Sequence, residues 1–136
     1  MDKPTGGRQK GQALVELALT LPLILLLVLG AMDFGRVYHT KIVITNAARE
    51  GANYLAYYPE EPNTSLVVIK EYASNAGVVL NDGDVLIENY DTPLSITVTK
   101  TIDDLIFNGF LTAVGILDGP LTITSKVSME TLVPVD

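Results

Sequence analysis

The sequence predicts an α+β fold: one long N-terminal helix, transmembrane in its first part and amphipathic after it, packed on a small three-stranded antiparallel sheet with a short second helix. Three observations predict it. Residues 13–32 form an apolar run with a single ionisable side chain, Glu16, and at 1.5 Å per residue such a run covers about 30 Å, the hydrocarbon thickness of a bilayer. Beyond it, Val37, Ile44, Ala48, Gly51, Ala52 and Leu55 recur at helical spacing between polar residues, so the helix continues as an amphipathic rod. Residues 94–102 and 121–129 then alternate apolar and polar, the pattern of strands with one dry and one wet face. The chain divides accordingly into a basic leader (1–11), a long helix (12–58) with its transmembrane part at 13–32, and an exported α+β domain (59–136).

The leader is polar, contains Pro4, Gly6 and Gly7, and reads as disordered. Next comes the one costly residue of the span. A carboxylate at the centre of a span costs about 2.5–3.5 kcal/mol, less near an end, so Glu16 calls for a partner. Cutting the bond after Gly11 makes one, because the new ammonium of Gln12 lies within a helical turn of Glu16. Two subunits packed side by side can then pair the Glu16 of one with the amino terminus of the other. At the start of a helix the carboxylate also meets the positive end of the macrodipole, worth about 0.3–1 kcal/mol. Pro22 removes a backbone donor inside the span. The carbonyl it frees needs another partner in lipid, and Thr20 or a neighbouring helix is a candidate.

The small residues Ala47, Ala48, Gly51 and Ala52 permit close backbone approach. Their first reading is the seat of the chain's own sheet, their second a contact with partner helices. Tyr54, Tyr57 and Tyr58 either cover a sheet edge or line a contact, and Pro59 ends the rod. Asn63, Thr64 and Ser65 form a capping cluster before a second helix that runs to Ala76, with Gly77 as its stop; Leu66, Ile69, Tyr72, Ala73 and Ala76 make its apolar face. A turn at residues 81–84 leads to a first strand over 85–90, and residues 91–93 turn the chain into the second. Its dry face carries Leu94, Ile96, Val98 and Lys100; Ser95, Thr97, Thr99 and Thr101 face water. The third strand presents Leu121, Ile123, Ser125, Val127 and Met129. Residues 103–117 are apolar but broken by Gly109 and Gly115, too short for a second span. Core packing of this segment is favoured over a subunit contact through Ile106, Phe107, Phe110 and Leu111.

Charge is unevenly distributed. Residues 1–11 carry Lys3, Arg8 and Lys10 against Asp2, whereas beyond Pro59 three lysines face twelve acids. The basic end is expected to stay cytoplasmic and the acidic domain to cross the membrane, although Arg36, Lys41 and Arg49 weaken the asymmetry. An acidic exported surface repels phosphate, so no nucleic-acid partner is expected. With no cysteine there is no disulfide and no thiolate metal site. The single His39 and the lack of any Ser/His/Asp spacing leave no nucleophilic site, and residues 81–84 with Glu88 lack the spacing of a calcium loop. Neither an enzyme nor a cofactor is expected.

The basic leader, Gly11, and Glu16 five residues past it at the head of an apolar helix follow the pattern of type IV prepilins. Residues 11–23, Asp33 to Arg36 and Thr45 to Ala52 resemble the signature blocks of the TadE-like family, minor pilins or pseudopilins of the tight-adherence (Flp-type) pilus system. The resemblance covers residues 8–58. It implies a type IV pilin-like fold and removal of the leader by a membrane-embedded aspartyl prepilin peptidase. Gly11 then precedes the cut, Gln12 becomes the first residue, and Glu16 is the assembly determinant. The implied partners are that peptidase, other pilin or pseudopilin subunits, and membrane lipid. Two other readings of the apolar run stand beside this one, a secretory signal peptide with small residues near 28–30 and an uncleaved signal anchor. In function the alternative is a single-pass anchored, extracytoplasmic binding module outside any pilus.

Overall fold

The computed structural model describes residues 6–88, 93–116, 119–130 and 132. Helix α1, Gly6–Tyr57, runs 52 residues without a break and passes through Pro22. Helical backbone therefore begins at Gly6, ahead of Gly11, where the sequence suggested a disordered leader; residues 1–5 lie outside the described residues. At the far end Tyr58 donates its N–H to the Tyr54 carbonyl at 3.0 Å, and Pro59 cannot extend the ladder.

Helix α2, Pro62–Asn75, begins one residue before the expected capping cluster. Proline supplies a helical φ at the first position, where its missing donor costs nothing. Asn63, Thr64 and Ser65 thus fall inside the helix, and no side chain caps it. Ser65 is instead fully buried and donates its hydroxyl to the Gly51 carbonyl of α1 at 3.0 Å. The helix stops as expected at Gly77, whose φ of 81° suits glycine. Gly77 N–H bonds to Ser74 O at 2.9 Å and Val78 N–H to Ala73 O at 2.8 Å, the paired bonds that satisfy the last carbonyls of a helix.

A short 3-10 turn, Asp82–Asp84, precedes strand β1, Val85–Glu88; the rest of the expected strand, 89–90, and residues 91–92 of the expected turn lie outside the described residues. Strands β2, Leu94–Ile102, and β3, Leu121–Met129, have the expected bounds and complete an antiparallel sheet of order β1-β2-β3. Val98 pairs with Val85 on one side and Ser125 on the other, and Ile96 with Ile87 and Val127. This register gathers the apolar set on one face. Ile44, Leu55, Ile69, Leu94, Ile96 and Val98 are fully buried where the sheet and α2 close on the second half of α1. On the other face Thr99 meets Thr124 and Thr101 meets Thr122, each pair of hydroxyls at 3.3 Å. One residue of that face departs from expectation. Ser95 is buried, and its hydroxyl has no hydrogen-bond partner among the described residues.

Helix α3, Ile106–Ala113, contributes no buried residue. The preference for core packing of this segment is corrected: among its described residues only Leu105, just before the helix, is buried, and α3 lies against α1 outside the main core. The core is already filled by residues from α1, α2 and the sheet, so α3's apolar face is left outside it.

Candidate assembly and membrane interface

Helix α1 has two halves with opposite surroundings. From Gln12 to Leu25 every side chain is exposed, and this apolar half projects beyond the folded domain as a candidate membrane span. From Val43 onward one face is covered. The contrast follows from composition: leucine and isoleucine all round the helix find no cover, whereas alanine and glycine on one stripe admit a sheet and a second helix.

On the uncovered half, Gly11 stands in the open, with nothing within 4 Å of where a Cβ would lie. The Gly11–Gln12 bond lies inside continuous helix. Glu16 is exposed, and among the described residues no cation pairs with its carboxylate. Because α1 begins at Gly6, Glu16 lies ten residues into the helix. The favourable macrodipole position expected for it exists only in a chain beginning at Gln12, since the effect fades within the first turn. Thr20 donates to the carbonyls of Glu16 at 3.0 Å and Leu17 at 3.2 Å. It therefore does not serve the carbonyl of Ala18, the one Pro22 deprives of its usual donor.

Ala47, Ala48 and Ala52 are fully buried. Gly51 marks the closest approach of α2: an added Cβ would overlap Ile69, with Cδ1 at 2.5 Å, and press on Ser65 Oγ at 3.1 Å. The small stripe is thus occupied by the chain's own domain, whereas the apolar candidate span is uncovered from Gln12 to Leu25.

The sequence reading missed the junction between the halves. Asp33 directly follows the apolar run, yet it is only 5% exposed, and its Oδ2 accepts the Phe107 N–H at 2.5 Å. Arg36, one turn on, donates to the Asp104 carbonyl at 3.1 Å and lies 3.7 Å from that residue's carboxylate. Gly30 lies beneath the Phe107 ring, at ordinary contact distance. Asp33 and Arg36 were visible as a charged pair one turn apart at the end of a span; nothing local showed that residues 104–107 would meet them. At the opposite end of the domain, Tyr54 donates its phenol to Glu61 Oε2 at 2.6 Å, and its ring lies tilted 5.1 Å from that of Tyr58. This hydrogen bond, with lesser help from burial and the carboxylate charge, raises the Tyr54 pKa. His39 is exposed, and among the described residues no group of three or more His, Cys, Asp or Glu could hold a metal ion.

Residues 11–53 match the family model of TadE-like proteins, a match that suggests a Tad pilus-associated protein. The matched stretch covers the span and the small-residue stripe and stops before α2 and the sheet. No curated protein and no solved structure matches the chain.

Proposed function

We propose, from the TadE-like match over residues 11–53, that this chain is a minor pilin or pseudopilin that takes part in assembling a tight-adherence (Flp-type) pilus after a prepilin peptidase cuts following Gly11. The observation that carries the proposal is the uncovered apolar half of α1, which holds an exposed carboxylate four residues past Gln12 and projects from a domain that needs none of it for its core.

The geometry supports the following sequence of events. Before cleavage the span is stored in the cytoplasmic membrane, its basic end inside and the acidic domain outside. The peptidase unwinds the first turns of α1 to reach the bond, helped by Gly6, Gly7 and Gly11, each about 1 kcal/mol less favourable in a helix than alanine. Cleavage puts the Gln12 ammonium within one turn of Glu16 and moves Glu16 to the positive end of the helix. Pairing across neighbouring subunits then relieves the cost of the carboxylate. The apolar span at the head of the rod, which is about 46 residues and about 70 Å long in all, passes from lipid into a bundle of similar polarity, so little apolar surface changes environment. At Pro22 the missing backbone donor leaves the Ala18 carbonyl able to accept from a neighbouring side chain.

Intact-mass and N-terminal analysis of the membrane-purified protein tests this. A chain beginning at Gln12 is the expected result. A chain that keeps residues 1–11, together with unchanged piliation on its deletion, overturns the proposal in favour of an anchored extracytoplasmic binding module.

A further inference from the structure

We infer that α3 is a second lipid-contacting element, an interfacial helix whose outward face lies in the outer boundary of the bilayer beside the end of the span. The inference rests on the reading of α1 as membrane-spanning.

The depth of α3 is fixed by what it touches. Phe107 packs on Gly30, within residues 13–32, and Phe107 and Leu111 share a groove of about 510 Å³ with Leu26, Leu27 and Phe34 of α1. Leu26 to Gly30 is the last stretch of the apolar run, so a bilayer that covers the run reaches α3 as well. The chemistry of α3 suits that depth. Residues 105–117 hold no charge, bracketed by Asp104 and Asp118, and Ile106, Phe110, Val114 and Ile116 are about half exposed or more. These side chains extend the apolar surface of the span sideways, and the groove between α1 and α3 has the apolar lining that an acyl chain fills.

Two further features belong to a helix seated in an interface. Its first amide groups lose water there and need protein acceptors, because unpaired backbone groups are costly in lipid; Asp33 supplies one, at 2.5 Å from Phe107 N. Flanking α3 on α1, the exposed Phe34 and Tyr38 rings stack 6.4 Å apart, with Arg36 and Lys41 beside them. Aromatic rings and cations at this level match the head-group region. An amphipathic helix of this kind buries its apolar face about 5–10 Å into the boundary. A protein partner is the weaker occupant, since the face offers no charge for a specific contact and is continuous with surface that lipid already covers.

The chain contains no tryptophan, so single substitutions report without background. The full chain carrying Phe110→Trp, Leu23→Trp or Val67→Trp is reconstituted in phosphatidylethanolamine/phosphatidylglycerol vesicles whose acyl chains are brominated near the glycerol end or near the methyl end. Phe110→Trp is expected to lose emission chiefly to the shallow bromine, Leu23→Trp chiefly to the deep one, and Val67→Trp, on the exposed face of α2, to neither. Quenching of Leu23→Trp but not of Phe110→Trp overturns the inference alone, including the case where an aqueous quencher also fails to reach Phe110→Trp and a protein contact covers the site. Absence of quenching at Leu23→Trp overturns the span itself.

Discussion

A carboxylate oxygen of Asp33 accepts the backbone N–H of Phe107 at 2.5 Å, across 74 positions of sequence. The acceptor is nearly buried, and it faces the N-terminal end of α3, where backbone donors lack partners within the helix and a negative charge is favoured. No residue next to α3 does this work: Leu105 holds its N-cap position and cannot cap it. The residue just past the apolar run of the candidate span thus anchors the helix beside it.

Replacing Asp33 by alanine leaves the part-buried Phe107 N–H without its acceptor, a loss of at most about 1–3 kcal/mol. The loss is expected to be local. Hydrogen exchange in detergent micelles should show residues 105–113 opening about tenfold or more faster while α2 keeps its protection, and Asp33→Asn, which retains an acceptor, should recover part of it. Equal loosening of α2 would show that α3 is part of the main cooperative unit.

At Gly51 two opposing effects can be weighed. Alanine gains about 1 kcal/mol over glycine in a helix interior, but its methyl overlaps Ile69, itself fully buried and unable to swing away. Overpacking of this kind costs about 1–3 kcal/mol and also threatens the Ser65–Gly51 hydrogen bond. Gly51→Ala is therefore expected to lower stability by about 0–2 kcal/mol, with Gly51→Val far worse. The combination of Gly51→Ala with Ile69→Ala, which removes both the Cγ1 and the Cδ1 that the new methyl would meet, should cost less than the separate effects added. Chemical denaturation of the four forms measures this.

How far this molecule could be read in its sequence depended on the range of the interaction involved. β2 and β3 emerged with their bounds because alternation is local and a one-residue slip would turn every side chain to the wrong face. The stripe from Val37 to Leu55 was legible for the same reason. The start of α2 was misplaced because the capping residues looked like a signal, while Pro62 set the first turn and Ser65 was needed against Gly51. For α3 the less favoured alternative, an apolar face outside the core, is the one observed: an uncharged apolar stretch looks the same whether it enters a protein core or an exposed contact. Only the distant pairing of Asp33 with Phe107, a tertiary fact, decides where it lies.

Tyr54 provides a spectroscopic handle on the junction of α1 and α2. Its phenol donates to Glu61, which favours the protonated ring and raises its pKa above the usual value of about 10. For an acid held neutral in the folded state, the contribution to stability is present below the unfolded pKa and disappears as pH rises through the folded one. Tyrosine-labelled NMR should find the Tyr54 signal titrating above the usual value of about 10, and Glu61→Ala should return it toward that value. An unchanged titration in that variant would mean the hydrogen bond is not formed in solution.

The assembly reading makes its sharpest demand on Glu16. In lipid this carboxylate is a cost, of at most about 2.5–3.5 kcal/mol and less at its position near the end of the run, so Glu16→Ala should insert at least as well as the natural chain. In an assembled bundle the same residue is an asset, because a buried ammonium left without its carboxylate loses about 3–5 kcal/mol. The substitution is therefore expected to leave the membrane pool intact while reducing incorporation into fibres by more than about tenfold, the effect of only about 1.4 kcal/mol. Glu16→Gln keeps the size and a hydrogen-bond acceptor but not the charge, and should assemble poorly as well. The partner end has its own vulnerability, since an N-terminal glutamine can cyclise and lose its positive charge; methylation or prompt assembly has to protect Gln12. Quantitative blotting of membrane and sheared-fibre fractions, with mass spectrometry of the fibre-borne N-terminus, checks both halves of the pair. Normal fibres from Glu16→Ala, or fibres whose subunits begin chiefly with pyroglutamate, would remove the charge pair from the mechanism.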